Sequence, residues 1–280
     1  KTLEIDSDIE IIIHESKDER IKRYKLEPPE LVKFTVDNGT ELSGAIYYPN
    51  SKEFEPPYPT VLSVYGGPHV QMVANSWFLT ASMRAQYLRS KGYLVLVVDN
   101  RGSARRGLQY EAPIKYSMGK VEVEDQVFAL NVLIKTGVVD KDRIGVYGWS
   151  YGGYISLMCL AQKPDLFKAA VSGAPVTSWD GYDTHYTERY MGIPSKNQAG
   201  YEESSVLSHV STIEGKLMLV HGLLDENVHF RHTARLINSL NAAGKEYDLL
   251  LFPEERHMPR RLEDRAYMER RILGFLEENV

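Results

Sequence analysis

Ser150 lies in the sequence GWSYGG (residues 148–153), between an apolar run with the length of a strand and an apolar run with helical spacing. A strand, a tight turn and a helix form a nucleophile elbow, in which a strained backbone holds the serine hydroxyl clear of the sheet. Gly148, Gly152 and Gly153 supply the positions without side chains that such a turn needs. The alternative is a chance GxSxG in a glycine-rich loop, but a strand before it and a helix after it favour the elbow. Ser150 is therefore predicted to be a nucleophile.

A serine nucleophile needs a base that is oriented by an acid, and in this type of fold the order along the chain is Ser, Asp, His. Asp225 follows the predicted strand 216–221, and His257 follows the next predicted strand, 247–252. Ligands bind at the carboxyl ends of the strands in open α/β sheets, so both side chains are expected at the same edge as Ser150. The sequence predicts a triad of these three residues.

Each partner of the serine also has a structural interpretation. Asp225 could cap a helix that begins near Asn227, and His257 could be a solvated loop histidine. Glu226 and Glu255 are the spare acids. Asp225 ranks first because its carboxylate is shorter and directly follows the turn at the end of the strand.

An acyl-transfer site also needs donors for the oxyanion, and removing one donor costs about 2.7–4 kcal/mol of transition-state stabilisation. The backbone N–H of Tyr151 is the first predicted donor, because it begins the helix after the elbow. The second is expected from the loop VYGGPH (residues 64–69), whose glycines allow close approach of the backbone. The phenol of Tyr65 could donate there, or Tyr65 could simply pack.

The elements that must position these residues alternate between strands and helices from residue 60 onward, which indicates a mainly parallel sheet covered on both faces. A predicted hairpin, 31–36 and 42–48, turns at Asn38-Gly39. Six apolar runs of buried-strand length follow at residues 60–65, 93–99, 143–147, 169–172, 216–221 and 247–252. Apolar residues have helical spacing within 123–134, 228–240 and 262–276. The prediction is an α/β-hydrolase fold with a mostly parallel, eight-stranded sheet and helices on both faces.

Residues 174–211 interrupt this alternation with an aromatic-rich stretch. Its large side chains include Trp179, Tyr182, Tyr186, Tyr190 and Tyr201. Loops of that length inside a compact domain are usually functional. The segment is therefore predicted to be a functional loop.

The composition describes one soluble globular α/β domain, since 280 residues with 43% hydrophobic and 25% charged side chains can bury a large core. A net charge of −5 offers no basic field for nucleic acid or acidic membranes. The single cysteine, Cys159, is predicted to be a small buried hydrophobe and suits a reducing compartment. No apolar run reaches the ~18 residues of a membrane span. The chain begins at Lys1 rather than methionine, so upstream sequence is expected.

Other polar groups carry weaker signals. His221, His229 and His232 show no HExxH pattern and are interpreted as surface histidines, so no metal or cofactor is expected. The acidic pairs 202–203 and 254–255 are interpreted as solvated. The polar turn 99–103 could contribute to the active site, or it could only end the preceding strand.

Several motifs, in one order along the chain, resemble the prolyl oligopeptidase family, serine peptidase family S9. They are VYGGP at Tyr65, DNRGS at Asp99, GWSYGGY at Ser150, YDTHYTERYMG from Tyr182, HGLLDENVHF at Asp225 and ERH at His257. The resemblance covers nearly all of residues 31–280. Within the family, the motifs most resemble the dipeptidyl peptidase IV branch, and in that branch the cytosolic dipeptidyl peptidases eight and nine.

This resemblance implies release of N-terminal dipeptides after proline, or less readily alanine, through an acyl-enzyme on Ser150. It makes His257 the base, Asp225 its orienter, and Tyr65 with the Tyr151 amide the oxyanion hole. The implied substrate-binding residues are Val176, Trp179, Tyr182, Tyr186 and Val228 around the proline ring and Asn227 at the preceding carbonyl. An aromatic box suits a pyrrolidine, because that ring offers burial and shape but no hydrogen bonds.

The resemblance also implies domains and partners. Residues 1–30 would be a lead-in segment, the exit from an N-terminal β-propeller that holds the substrate ammonium, and residues 31–280 the catalytic domain. A homodimer, a cytoplasmic location and peptide substrates with proline or alanine in second position are further expectations. One departure is the sequence MPRR (residues 258–261), which differs from the family's commoner continuation after His257.

Two other kinds of protein stay open at this point. The same triad could serve a broader oligopeptidase, an acylaminoacyl peptidase or an esterase. The chain could also be a catalytically silent interaction domain, although the intact Ser150, Asp225 and His257 argue against it.

Overall fold

The structure of the protein, a computed structural model, describes residues 2–3, 10–11 and 18–280. The predicted lead-in, 1–30, therefore lies partly outside the described residues. Its described part contains two short antiparallel strands, β1 (Thr2–Leu3) and β2 (Glu10–Ile11), and helix α1 (Glu19–Arg23). That this segment leaves a propeller stays a prediction.

One eight-stranded sheet organises the described chain. Its strands are β3 (Glu30–Thr35), β4 (Glu41–Tyr47), β5 (Tyr58–Val64), β6 (Leu94–Asp99), β7 (Val139–Trp149), β8 (Ala169–Gly173), β9 (Lys216–Gly222) and β10 (Asp248–Phe252). Their order across the sheet is β10-β9-β8-β7-β5-β6-β4-β3. Within this sheet β4 alone runs opposite to the other strands, so its pairs with β3 and β6 are antiparallel, and every other neighbouring pair is parallel. The predicted eight-stranded, mostly parallel sheet is confirmed.

Helices cover both faces of this sheet. After α1 they are α2 (Trp77–Thr80), α3 (Met83–Ser90), α4 (Leu108–Glu111), α5 (Val121–Lys135), α6 (Tyr151–Gln162), α7 (Thr184–Met191), α8 (Gln198–Glu203), α9 (Arg231–Ala242) and α10 (Leu262–Asn279). Successive strand residues point to opposite faces, so Leu62 joins the core under α5, α6 and α9, whereas Val61 joins the core under α3 and α10. The predicted α/β-hydrolase architecture is thus present.

The C-terminal helix also reaches the centre of the sheet. A Cβ atom at Gly145 of β7 would lie 2.6 Å from a side-chain carbon of Val280. Ile272 and Leu276 of α10 are fully buried in the same core as Val171 of β8. The end of the chain therefore packs on the strands that lead to the elbow.

The prediction that residues 174–211 form a loop is wrong. The segment contains α7, α8 and three short 3-10 turns, at Trp179–Gly181, Pro194–Lys196 and Val206–Thr212. The carboxylate of Asp183 caps α7 by accepting the N–H of Tyr186 at 3.0 Å. Aromatic side chains in this segment therefore stand on short, capped helices.

Smaller differences concern the ends of elements. Strand β7 begins at Val139, four residues before the predicted start at 143. Helix α9 begins at Arg231 rather than at residue 228, because the preceding residues fold around Asp225. Cys159 is fully buried, as predicted. None of the helices in the described part of the chain is long and apolar enough to cross a bilayer.

Candidate active site

Ser150 lies in a strained turn between β7 and α6. Its backbone dihedrals are φ 60° and ψ −117°, in a region that costs a non-glycine residue of the order of 1–3 kcal/mol. Its N–H donates to the carbonyl of Gly173 at 2.8 Å, which ties the turn to the end of β8. The first residue of α6, Tyr151, follows directly, so the predicted strand, turn and helix are all present.

Close backbone contacts explain the glycines around the serine. A Cβ atom at Gly148 would lie 1.9 Å from the carbonyl oxygen of Gly152, and one at Gly152 would lie 2.2 Å from the carbonyl oxygen of Val64. Any side chain at these positions would collide with backbone that cannot move aside. The glycines therefore let α6 start against the end of β5, where the loop with Tyr65 begins.

Asp225 and His257 meet at the same edge of the sheet. Oδ2 of Asp225 accepts a hydrogen bond from Nδ1 of His257 at 2.8 Å, and Oδ1 accepts the N–H groups of Asn227 and Val228 at 2.9 Å each. Burial alone would raise the pKa of Asp225, but hydrogen bonds from His221 and His257 outweigh it and keep the pKa well below the ordinary value. The carboxylate orients an imidazole and caps the turn at Asn227, but it caps no helix, because α9 begins only at Arg231; the helix-cap interpretation of Asp225 is therefore wrong.

His221 is a further partner of this carboxylate, and its position at the end of β9 was interpreted as a surface position. That prediction is wrong, because His221 is fully buried. Its Nε2 lies 3.1 Å from Oδ2 of Asp225 and 2.8 Å from the carbonyl of Val228, and its Nδ1 lies 2.7 Å from the hydroxyl of Thr233. If the Thr233 hydroxyl donates to Nδ1, Nε2 carries the proton and donates to the carboxylate.

The loop of His257 is attached to the elbow through the residue before the serine. The indole N–H of Trp149 donates to the carbonyl of His257 at 2.8 Å. A Cβ atom at Gly222 would lie 2.3 Å from the carbonyl of Arg256, so the glycine at the end of β9 leaves room for this loop. The hydrogen bonds of the described residues include none between the Ser150 hydroxyl and His257. Such bonds are often long without substrate, and this one stays a prediction.

The loop after β5 carries the expected second oxyanion donor. Burial raises the pKa of Tyr65, so its phenol keeps the proton at neutral pH and can donate it. The carbonyl of Gly66 accepts the side-chain N–H of Asn100 at 2.9 Å, and Gln126 donates to Oδ1 of Asn100 at 2.8 Å. The polar turn at 99–103 therefore supports this loop as well as ending β6.

Tyr151 joins the elbow to a buried acid that sequence reasoning missed. Its phenol donates to Oε1 of Glu122 at 2.6 Å, and Oε2 of the same carboxyl accepts the N–H of Gly119 at 2.9 Å. Glu122 is fully buried, and this burial raises its pKa to about 7 against the lowering effect of these two hydrogen bonds. The acidic residues at the start of α5 therefore include one that holds the tyrosine next to Ser150.

The raised pKa of Glu122 predicts a pH-dependent stability. In the unfolded chain the carboxyl ionises near its ordinary value of 4.5, whereas in the folded protein it ionises at about 7. The folded state binds the extra proton between these values, so stability falls as pH rises through them. Relative to that of the Glu122→Gln variant, the free energy of unfolding of the wild type is expected to fall by up to about 3 kcal/mol between about pH 5 and about pH 8.

Chemical denaturation of both proteins across this range measures the difference. Glu124→Gln is the matched control, because Glu124 is exposed on the same helix. Its stability difference from wild type should change little with pH. A Glu122→Gln difference that is constant over the same range would contradict the prediction.

An aromatic cluster packs against the ring of Tyr151. The rings of Trp179 and Tyr186 are stacked with centroids 6.2 Å apart, and the Tyr182 ring meets both edge-on at 6.0 and 5.4 Å. Tyr151 is 5.4 Å from Trp179 between ring centroids. The structure therefore brings together the three aromatic side chains that the resemblance implied for a proline pocket.

The remaining implied substrate-binding residues lie near these groups. Val176 and Val228 are buried in the same core cluster as Trp179. The phenol of Tyr182 donates to Oδ1 of Asn227 at 2.7 Å, which leaves the amide N–H₂ of Asn227 available to bind a carbonyl. The side chain of Asn227 is thus oriented as a donor.

Two further interpretations of polar residues are wrong. His232 was expected at the surface but is buried, and burial lowers its pKa to about 4, so it is neutral. It contacts the carbonyl of Gly181 at 3.1 Å and fixes the aromatic segment against α9. Glu255 was expected to be solvated but is also buried, because its carboxylate accepts the N–H groups of Arg260 and Arg261 at 2.8 and 3.2 Å.

The sheet is mostly parallel, a strained serine lies between strand and helix, and an aspartate and a histidine pair from the loops after β9 and β10. Together these features define the α/β-hydrolase class. Comparison with known sequences is more specific. The model of the prolyl oligopeptidase family, a family of serine peptidases, matches residues 79–280, more than half of the chain. The chain therefore belongs to the prolyl oligopeptidase family, as its motifs predicted.

Individual relatives agree with this family. The chain is 47% identical to human dipeptidyl peptidase 8 over 257 residues, which are 90% of this chain and 29% of that protein. It is 35% identical to human prolyl endopeptidase FAP over 252 residues, 88% of this chain and 33% of that protein. The solved structure of a candidate dipeptidyl aminopeptidase IV from Bacteroides ovatus matches with a TM-score of 0.84 and 34% identity, over 90% of this chain and 36% of that one. The chain spans about a third of the length of these relatives.

Proposed function

We propose that this chain is the catalytic part of a serine exopeptidase that releases N-terminal dipeptides after proline or alanine. The observation that carries this proposal is the 2.8 Å hydrogen bond between buried Asp225 and His257 at the sheet edge where Ser150 stands in its strained turn. The names of the dipeptidyl peptidase relatives support the type of peptidase. The stacked and edge-on rings of the aromatic cluster support a flat, apolar residue such as proline before the cleaved bond.

In the first half of the reaction, Nε2 of His257 takes the proton of Ser150 as the serine oxygen attacks the peptide carbonyl. Asp225 keeps the proton of His257 on Nδ1, so that Nε2 is free to act as the base. The phenol of Tyr65 and the N–H of Tyr151 donate to the oxyanion. His257 then gives its proton to the leaving amine, and the dipeptide remains as an ester on Ser150.

In the second half, water takes the place of the amine. His257 removes a proton from the water, the resulting hydroxide attacks the ester, and the same two donors hold the second oxyanion. The proton then returns to the oxygen of Ser150, and the dipeptide leaves as a carboxylic acid. The residues of this chain supply every proton transfer in the cycle.

A second candidate is a prolyl endopeptidase with the same chemistry, favoured by the 35% identity to human prolyl endopeptidase FAP. An exopeptidase needs the free ammonium of its substrate, whereas an endopeptidase accepts a blocked terminus. Gly-Pro-p-nitroanilide and its N-acetyl form therefore separate the two activities. In the full-length protein, where the propeller would hold the ammonium, the exopeptidase proposal expects kcat/KM to fall by at least about tenfold on acetylation, since a charge-assisted contact is worth about 1.5–3 kcal/mol.

Equal rates on the two substrates would favour the endopeptidase. Hydrolysis of neither, in a protein whose circular dichroism shows it to be folded, would favour a silent interaction domain. An aryl ester tests the broader esterase alternative in the same assay. A homodimer, a β-propeller that holds the ammonium and a cytoplasmic location belong to the same proposal and rest on the resemblance.

A further inference from the structure

A groove beside His257 is lined with cations. It has a volume of about 560 Å³ and lies between the loop after β9 and the loop that joins β10 to α10. The side chains that matter are Glu226, Arg256, His257, Met258, Arg260 and Arg265. Two of these, Met258 and Arg260, belong to the stretch that departs from the family's commoner sequence.

The groove holds three guanidinium groups for one carboxylate. Arg256 and Arg260 approach the same oxygen, Oε1 of Glu226, at 3.6 and 3.9 Å. Neither distance allows a direct hydrogen bond, so both groups keep donors for another acceptor. Arg265 forms no ion pair with the residues that the structure describes. A local charge of about +2 therefore remains in a chain whose net charge is −5.

Neighbouring acids do not cancel this charge. Glu254 pairs with Arg261, whose Nη2 is 2.5 Å from its Oε2. Glu255 is turned inward to the N–H groups of Arg260 and Arg261. Asp264, in the first turn of α10, lines a separate cavity together with Glu254 and Glu255. Glu254, Glu255 and Asp264 thus line a different cavity from the three arginines of the groove.

The groove is also held in place from both sides. The two bonds to the buried Glu255 fix the backbone at Arg260, and the indole of Trp149 holds the carbonyl of His257. These contacts fix the backbone from which the arginines project, and guanidinium groups suit a planar carboxylate, which accepts two parallel N–H bonds. The chemistry of the groove therefore fits an anionic oxygen group rather than an apolar or cationic one.

The position of the groove indicates which part of a substrate it meets. In the proposed reaction His257 gives its proton to the leaving amine, so the residues after the cleaved bond pass beside His257. The acyl part would occupy the aromatic cluster, whose Trp179 ring lies 5.4 Å from that of Tyr151 between centroids. We propose that the groove is a leaving-group subsite that binds a carboxylate of the released peptide, either an acidic side chain or the terminal carboxylate of a short substrate. This inference rests on the proposed function.

Pairs of matched peptides test the proposal and separate the two sources of the carboxylate. Gly-Pro-Asp-Gly-Gly-amide is compared with Gly-Pro-Asn-Gly-Gly-amide, and Gly-Pro-Gly with Gly-Pro-Gly-amide. At least one pair is expected to show a kcat/KM ratio of about five to ten in favour of the carboxylate, because tenfold corresponds to about 1.4 kcal/mol. A preference in the first pair identifies an acidic side chain as the bound carboxylate, and a preference in the second pair identifies the terminal carboxylate. The ratio is expected to shrink at about 1 M salt, where the Debye length is about 3 Å.

The double variant Arg260→Gln/Arg265→Gln is expected to lower that ratio to about one, since it removes two of the three charges. Arg270→Gln is the matched control, because Arg270 lies further along α10 and lines a different cavity. It should keep the wild-type ratio. A ratio that survives in the double variant would overturn the proposal, as would a ratio near one for both pairs in wild type. Failure to cleave any Gly-Pro peptide would instead overturn the proposed function.

Discussion

Ser150→Ala is expected to lose covalent labelling by a fluorophosphonate and to lower kcat by at least about 10⁴-fold, because no other group can form the acyl-enzyme. The fold should survive the change. The substitution removes only the hydroxyl, and the turn is held by the backbone hydrogen bond from the N–H of residue 150 to the carbonyl of Gly173. Labelling is followed by intact mass, which shows one adduct on wild type and none on the variant.

Ser156→Ala is the matched control for this experiment. Ser156 lies in the second turn of α6, the helix that follows Ser150, and its hydroxyl donates to the carbonyl of Gly153 at 2.8 Å. This variant should label like wild type. Undiminished labelling or hydrolysis in a folded Ser150→Ala protein would show that the elbow is not the nucleophilic centre.

Asp225→Asn is expected to lower kcat by about 10³- to 10⁴-fold with little change in stability. An asparagine can still accept the N–H groups of Asn227 and Val228 through its oxygen, so the turn should form. Its amide, however, donates to Nδ1 of His257, and the imidazole then carries its proton on Nε2. That nitrogen can no longer accept the proton of Ser150.

Two other variants are compared with Asp225→Asn. Glu254→Gln removes an acid from the loop of His257 without touching the imidazole, and its kcat/KM should stay within about twofold of wild type. His221→Asn weakens one of the hydrogen bonds donated to Asp225. It is expected to lower kcat only about tenfold, because the carboxylate keeps its other three donors. A kcat for Asp225→Asn within tenfold of wild type would contradict an orienting role for Asp225.

Much of the site could be predicted from local sequence. The glycines around Ser150 mark a turn where only a backbone fits, and the contacts at Gly148 and Gly152 give the steric reason. Strand-length apolar runs predicted the positions of Asp225 and His257 along the chain, because parallel strands bring their carboxyl ends to one edge. The last step, the contact between the serine hydroxyl and His257, stays a prediction.

Burial of polar side chains was the weakest part of the prediction. His221 was interpreted as a surface histidine and Glu255 as a solvated acid, and Glu122 was not singled out, yet all three are buried and hydrogen bonded. Whether a charged residue lies inside depends on partners that are distant in sequence. Tyr151 is 29 residues from Glu122, for example, and no local pattern links them.

A local signal for α7 was present and was overlooked. Tyr182, Tyr186 and Tyr190 are spaced by four residues, Asp183 is a good N-cap, and Gly192 ends the helix with a φ of 70°. The aromatic composition favoured a loop interpretation over this spacing. The arginine groove, by contrast, depends on Glu226 meeting the loop after β10, which sequence alone does not show.

The hydrogen bond from Trp149 to the carbonyl of His257 joins residues that are 108 positions apart. His257 follows β10, an edge strand whose partner in the sheet is β9, so we expect the bond to form once β10 has paired with β9. Contacts of such long range require a large loop to close, and the entropic cost of that closure slows their formation. Acquisition of hydrolytic competence should therefore report the completion of folding, and intermediates that lack the edge strand should be inert however well their central strands are formed.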